Sequence, residues 1–314
     1  MVKKALWALF LGFLILLFFG GFKCSYYIKK NYFQPVRQAQ GVSNFLLLGI
    51  NGSGAGDSDL TDTIIFASLN SQSRKLTLLS IPRDIWIEEM QAKINTAYHY
   101  GGFDLVQETF QGFLAQKIDY ILVVDFESFR KVIEILGGVE VEVEEAFDDD
   151  KYPIAGKEND LCEGDPQYRC RYEHLHFEAG RQLMDGERAL KFVRSRGAEG
   201  DEGTDFARAK RQQALIKAVK EKLFSKEIYL SPGKIWELKK VFEEATLSEI
   251  PPKQYGSLLF LAAKVNWQGI KTASLSEDNF LFHPKTHSSK QWVLLPKSES
   301  LKEIQEFVQE LIWQ

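Results

Sequence analysis

Eighteen consecutive uncharged residues, Ala5 to Phe22, restrict the layout of this chain more than any other feature. At about 1.5 Å per residue, a helix of that length comes close to the roughly 30 Å depth of a bilayer's hydrocarbon core. Lys3 and Lys4 precede the run, as they would a secretory leader. No small-residue cleavage site follows it, and it is longer than a leader's usual apolar stretch. Lys23, directly before Cys24, leaves no small-residue lipoprotein cleavage site. The expected layout is residues 1–22 as cytoplasmic N-terminus and single transmembrane helix, and 23–43 as a polar stalk. Residues 44–314 then form a domain on the extracytoplasmic side of the cell membrane, with a core over 44–224 and a helical extension over 225–314. The lysine pair favours an inside N-terminus, although Lys23, Lys29 and Lys30 blunt the asymmetry.

The chain has the material for a packed core, with 45% hydrophobic residues and 23 phenylalanines in all. A net charge of −4 and the lack of a long basic tract argue against a nucleic-acid binder. Phe45 to Ile50 is a continuous apolar run of the kind that forms a buried strand. Two further strand-like runs, Thr63 to Leu69 and Lys75 to Ile81, are joined by the polar turn Asn70 to Arg74. Helical spacing over Phe103 to Phe113 is followed by a strand at Tyr120 to Val124. A second helix then runs from Phe126 to Leu136 and stops at Gly137-Gly138. Val139 to Val143 alternates as a half-exposed strand. Residues 146–178 read as irregular, with Asp148-Asp149-Asp150 as a solvated loop. Helical spacing returns at 185–194 and at 205–224. The tail reads as three or four helices with a late strand near Trp292 to Leu295. This alternation implies an α/β (α+β) fold, a mixed central β-sheet flanked by helices on both faces.

Cys162 and Cys170 lie eight apart in a polar stretch, a spacing open to a short disulfide in an oxidising compartment or to two unpaired thiols. The five histidines are scattered, and His174-Leu175-His176 lacks zinc-site spacing. Gly52 to Gly56 is no P-loop, since no Gly-Lys-Ser/Thr follows it.

The densest charge cluster spans residues 181–222, where 11 Lys/Arg face 7 Asp/Glu in a chain that is acidic overall. Thr204 or Asp205 is a good N-cap for the helix that follows. Its apolar stripe, Leu215, Ile216, Val219 and Leu223, extends back by turns onto Arg211, Gln212 and Arg208. Arginines on the inward side of a helix's first turns oppose its macrodipole unless an anion sits there. Phosphate suits them, because the guanidinium fork meets two oxygens at once. A structural ion-pair network with Asp205 or Glu187 is the competing reading.

A second cluster sits on the expected hairpin. If Ser71 faces Arg74, the same register sets Asp62 opposite Arg83 at the open end. That pair is either a surface ion pair of little value, or an acid for a divalent cation beside an arginine for phosphate oxygens. Mg²⁺ commonly takes only one or two carboxylates plus substrate phosphates.

Taken together, these residues resemble the LytR-CpsA-Psr family of cell-wall glycopolymer ligases over Phe45 to about Phe224. The matching stretches are Phe45 to Ile50, Thr61-Asp62-Thr63, Leu79 to Asp84, Lys93-Ile94-Asn95 and Leu136 to Val141. Asp185-Gly186 to Leu190, Val193 to Arg196, and Asp205 to Gln212 complete the set. The resemblance implies a polyprenyl-pyrophosphate-linked glycan as donor, peptidoglycan as acceptor and Mg²⁺ (or Mn²⁺) as cofactor. It implies pyrophosphate binding by Arg83, Arg194, Arg196, Arg208, Arg211 and Gln212, and a metal ligand at Asp62. Where the family usually carries a second aspartate this chain has Asn51, whose carbonyl oxygen could still serve the metal or for which Asp57 or Asp59 could substitute, and Leu60 replaces a common arginine. Asp84 is expected to orient Arg83. The reading that follows is transfer of glycosyl phosphate to the wall. A non-catalytic sensor of lipid-linked glycan and a lipid pyrophosphatase are the rivals.

Overall fold

The structure, a computed structural model, describes residues 30–313 apart from 53–58, 155, 158, 267, 268 and 299. The uncharged run Ala5 to Phe22 and Cys24 lie outside the described residues. Among those described, no helix is long and apolar enough to cross a membrane.

The first three strands are β1 (Val42–Ile50), β2 (Thr61–Asn70) and β3 (Leu76–Ser80), followed by helix α1 (Ala97–Leu114). Next come β4 (Tyr120–Asp125), α2 (Phe126–Leu136) and β5 (Val139–Val143). A hairpin follows, of β6 (Phe147–Pro153) and β7 (Tyr172–Phe177), then β8 (Gly180–Met184), α3 (Gly186–Arg194) and α4 (Asp205–Leu223). The remainder holds α5 (Lys226–Tyr229), α6 (Pro232–Ala245), β9 (Thr246–Ser248), α7 (Tyr255–Lys264), β10 (Lys271–Ser274) and α8 (Lys302–Trp313). Two-residue strands pair at 86–93 and 281–296.

Six strands form the central sheet in the order β9-β4-β1-β2-β3-β10. It is mixed: β1 runs antiparallel to β2 and parallel to β4. Because strand side chains alternate between faces, β1 to β3 feed two cores. Leu46, Leu48, Ile64, Phe66 and Leu79 pack with Val106, Phe110 and Phe113 of α1 and with Ile304 and Val308 of α8. Ile65, Ala67, Leu76 and Leu78 face the other way, toward Ile216 of α4 and Leu261 of α7. Helices thus cover both faces. A further core joins α2, α3 and α4 to β5 to β8 through Ile133, Phe147, Phe177, Phe192 and Leu215.

The β2–β3 register is the expected one, with Ile65 opposite Ser80 and Phe66 opposite Leu79. The turn is held by Asn70, whose side-chain oxygen accepts from the Gln72 and Ser73 amides. At the other end the β1–β2 ladder slips: Gly49 pairs with Thr63 and Ile50 with Thr61, skipping Asp62. Such a bulge re-aims the extra side chain.

Two parts of the chain differ from the expectation. The acidic stretch 146–178 is not irregular, since β6 and β7 pair from Phe147↔Phe177 to Pro153↔Tyr172. Aspartate's low strand propensity hides β6, yet Phe147, Asp149 and Tyr152 point into the core. Cys162 and Cys170, in the loop between these strands, are joined as a disulfide with a Cα separation of 5.5 Å. The tail, for its part, contributes more than helices. Beyond residue 224 it supplies both edges of the central sheet, β9 on β4 and β10 on β3. These are strands of only three and four residues, Thr-Leu-Ser and Lys-Thr-Ala-Ser, too short for alternation to betray them.

Candidate active site

Between the open end of the β2–β3 hairpin and the start of α4 lies a cleft lined by Asp62, Arg83, Lys151, Arg194, Arg196, Arg208 and Gln212, with Ser80 among its small polar residues. The lining holds five cations and a single carboxylate. Each comes from a different local cause. Asp62 is the bulged residue of β2. Arg83 stands just past β3, and its Nη1 donates to Asp62 Oδ1. Arg194 ends α3, where a cation complements the helix dipole, and its guanidinium lies 4.2 Å over the Phe126 ring. Arg208 and Gln212 lie one turn apart on α4, whose N-cap Thr204 accepts from the Ala207 amide. Gln212 Oε1 is 3.5 Å from Ser80 Oγ, tying the helix to the hairpin.

Arg83 is steadied from behind. Asp84 lies 3.5 Å from Arg83 Nε and accepts from Lys93 Nζ at 2.7 Å. Asp84 does not line the cleft; it stands behind Arg83, between that guanidinium and Lys93.

Arg211 departs from expectation. It is 4% exposed and does not line the cleft. Its Nη1 bonds Glu202 at 2.6 Å and its Nη2 donates to the Ser195 carbonyl at 2.9 Å, while the guanidinium lies 4.7 Å over Phe147. Arg211 does face inward, as the apolar stripe implies, but its neighbours are not those of the cleft. Successive residues on a helix diverge by about 100°, so Gln212 faces the cleft while Arg211 faces the β6–β7 hairpin. The acidic partner, Glu202, sits in the turn before the helix, where neither Asp205 nor Glu187 was needed. Burial draws the Arg211 pKa below its usual value, with Glu202 opposing, but arginine remains charged. Arg211→Gln should therefore lower the melting temperature, whereas Arg208→Ala should weaken diphosphate binding with melting nearly unchanged. Differential scanning fluorimetry with and without a soluble diphosphate separates the two, and equal melting loss would refute the assignment.

Asn51 is exposed just past β1 and does not line the cleft. Asp57 lies outside the described residues.

Three contributors escaped the sequence reading. Lys151 adds a cation from β6. Glu202 neutralises Arg211. Asp149, read as part of a solvated loop, is fully buried. Its Oδ2 accepts from Ser195 Oγ at 2.6 Å and from the Arg196 and Gly197 amides at 3.2 and 3.0 Å, and its Oδ1 from the Lys151 amide at 2.9 Å. One carboxylate thus shapes the turn that presents Arg194, Arg196 and Lys151. Alternation from Phe147 was the signal that pointed Asp149 inward.

The LytR_cpsA_psr family model matches residues 23–309. The chain belongs to the LytR-CpsA-Psr family. Among its curated relatives, this LytR-CpsA-Psr protein is 30% identical over 189 residues to the polyisoprenyl-teichoic acid–peptidoglycan teichoic acid transferase TagV of Bacillus subtilis strain 168, covering 58% of this chain and 44% of TagV. It is 28% identical over 244 residues to TagU of Bacillus anthracis, the same kind of transferase, covering 70% and 72%. The chain spans about half the length of the first curated relatives it matches. Of solved structures, TagV of B. subtilis superposes with a TM-score of 0.60 at 24% identity, over 88% of this chain and 98% of that one. TagT bound to LIIa-WTA superposes with a TM-score of 0.60 at 20% identity, over 90% and 95%. These likenesses show a shared fold.

Proposed function

We propose that this LytR-CpsA-Psr protein transfers a glycosyl-phosphate polymer from a polyprenyl-pyrophosphate carrier to peptidoglycan, working on the outer side of the membrane that Ala5–Phe22 spans. The observation that carries the reading is the cleft's surplus of cations, assembled from four separate chain segments around one carboxylate. Such a surplus favours an anion of several charges, and a diphosphate supplies them. The relatives' activity on polyisoprenyl-linked teichoic acid supports the same chemistry.

Phosphoryl transfer needs positioning and charge neutralisation more than covalent help from the protein. Arg83, Arg194, Arg196, Arg208 and Lys151 hold the diphosphate oxygens, and Gln212 adds a side-chain amide. A wall-sugar hydroxyl attacks the phosphorus nearest the glycan. The new P–O bond forms as the bridging bond breaks, polyprenyl phosphate departs with the electron pair, and the hydroxyl's proton passes to that phosphate or to water. Asp84 and Lys93 keep Arg83 aimed.

The donor set fits Mg²⁺ (or Mn²⁺) conditionally. Asp62 offers one hard oxygen ligand, and among the described residues no trio of acids or histidines gathers at the cleft. Five cations around one carboxylate repel a bare divalent ion, so the remaining ligands must be phosphate oxygens and water. When bound there the ion supplies charge neutralisation on the diphosphate. Mg²⁺ alone is therefore expected to bind weakly, and a diphosphate to raise its affinity at least about tenfold, a coupling of ~1.4 kcal/mol. Calorimetric titration with and without a soluble diphosphate measures it. Asp62→Ala should abolish the coupling, and tight binding of Mg²⁺ alone would contradict it.

The deciding assay supplies a lipid-linked donor, Mg²⁺ and peptidoglycan fragments to the full-length protein. Polyprenyl phosphate should appear together with glycan-phosphate joined to the fragments. Release that ignores the fragments would make the protein a hydrolase, and no release would make it a binder.

A further inference from the structure

Beyond the cleft, one surface stands out. The α5–α6 turn exposes Tyr229 (78%), Leu230 (74%), Ile235 and Trp236 (65%) within eight residues. Apolar groups gathered this closely on a surface mark a binding face. Its basic end lies toward the turn: residues 226–240 carry four lysines against two glutamates, and Glu243 and Glu244 follow at the far end of α6. Lys239 Nζ lies 5.4 Å over the Trp236 ring. On the neighbouring helix α7, Leu259 and Phe260 are also exposed, with Lys264 Nζ 3.9 Å over Phe260. Protein–protein interfaces are depleted in lysine. Trp and Tyr among lysines whose stems lie on apolar rings is instead the chemistry of a bilayer's headgroup zone.

The path of the chain points the same way. Residues 32–34 are fastened to this corner. The Gln34 amide donates to the Lys253 carbonyl at 2.8 Å. The Tyr32 carbonyl and the Phe33 ring crowd Gly256 of α7 so closely that a Cβ there would meet both at 2.7 Å. Phe33 is itself 44% exposed. Tyr255 in turn meets Phe242 of α6 edge-on at 5.2 Å, linking the two helices. Ten residues separate Tyr32 from Phe22, a reach of at most roughly 33–36 Å. The N-terminal tether thus enters the domain beside α6 and α7 and keeps them close to the end of the uncharged run.

We propose that the outer face of α6 and the α5–α6 turn seat the domain on the anionic outer surface of its own membrane. Tyr229, Leu230, Ile235 and Trp236 enter the headgroup layer, and Lys234 and Lys239, which pair with Glu227 at 2.7 Å and with Glu243 at 2.6 Å, exchange those partners for lipid phosphates. The docking rests on the proposed role of Ala5–Phe22 as the anchor. It gives a lipid-borne donor and the cleft a constant relative height, where a tether alone would leave the domain free to tumble.

The test uses the full-length chain with Cys24→Ser, reconstituted in phosphatidylglycerol–phosphatidylethanolamine vesicles; Cys162 and Cys170 are bonded to each other. An environment-sensitive fluorophore is placed at Leu230→Cys. A control is placed at Tyr100→Cys, 67% exposed on α1, which covers the opposite sheet face. The Leu230 label should shift to the blue and be quenched by headgroup-level nitroxide lipids, the Tyr100 label neither. Combining Tyr229→Ser, Ile235→Ser and Trp236→Ser should abolish the quenching at Leu230→Cys while the protein still floats with the vesicles. A floating chain whose two labels are equally unquenched overturns the docking and spares the anchor. A chain that fails to float overturns both. A blue shift without lipid quenching that grows with protein concentration gives this face to a second copy of the chain, and also overturns the proposal.

Discussion

Arg83→Ala is expected to lower the rate of transfer from a polyprenyl-diphosphate donor by about 10²–10³-fold, the usual cost of one preorganised donor on a developing charge. The fold should survive, because Arg83 is 38% exposed at its side chain and its partners, Asp62 and Asp84, are reachable by water. Its bond to Asp62 is a partly screened pair of small value to stability. Arg83→Lys should recover little, since an ammonium cannot span two phosphate oxygens as the guanidinium does. The measurement is polyprenyl phosphate released per minute, with a melting curve beside it. Transfer near the normal rate in Arg83→Ala would remove the core of the mechanism.

The second large effect is on stability. Asp149→Ala strips the acceptor of Ser195 Oγ in a fully buried setting, and with it the partner of the part-buried Lys151, Arg196 and Gly197 amides. Unsatisfied buried donors are costly, and the sum should reach roughly 3–5 kcal/mol, which for a domain of this size corresponds to a fall of about 10 °C in melting temperature. Diphosphate affinity should fall as well, because the Ser195–Gly197 turn aims Arg194 and Arg196. Asp149→Asn keeps one acceptor oxygen and should lose less of both. An unchanged melting curve for Asp149→Ala would show that the turn holds its shape without this carboxylate.

The two variants probe opposite sides of one design. Arg83 touches the ligand and contributes little to the fold. Asp149 touches no ligand and holds the loop that does. Arg211 belongs with Asp149: both are buried, both grip Ser195, and Glu202 balances the charge between them. Without Asp149 and Glu202, positive charge would press against the cleft from behind as well as from its walls.

Much of this was written locally. The uninterrupted apolar run at Phe45 to Ile50, the polar turn at Asn70 to Arg74 and the alternation of Val139 to Val143 determine strands and the β2–β3 register, because a strand has a side-chain period of two wherever it lies. The stripe through Leu215 and Val219 likewise determines that Arg208 and Gln212 face inward, since a helix repeats every 3.6 residues regardless of its surroundings. The same register, continued past its last pair of Ile65 and Ser80, brings Asp62 to Arg83.

Only the tertiary structure decided what those inward residues meet. One residue of rotation separates Gln212 in the cleft from Arg211 against Glu202 and Phe147, and local periodicity cannot say which neighbour fills each sector. The burial of Asp149, the addition of Lys151, the tail strands at both sheet edges and the convergence of α3 with the β2–β3 hairpin are long-range events. They are set by which surfaces pack together, and packing leaves no periodic mark in the segments it joins.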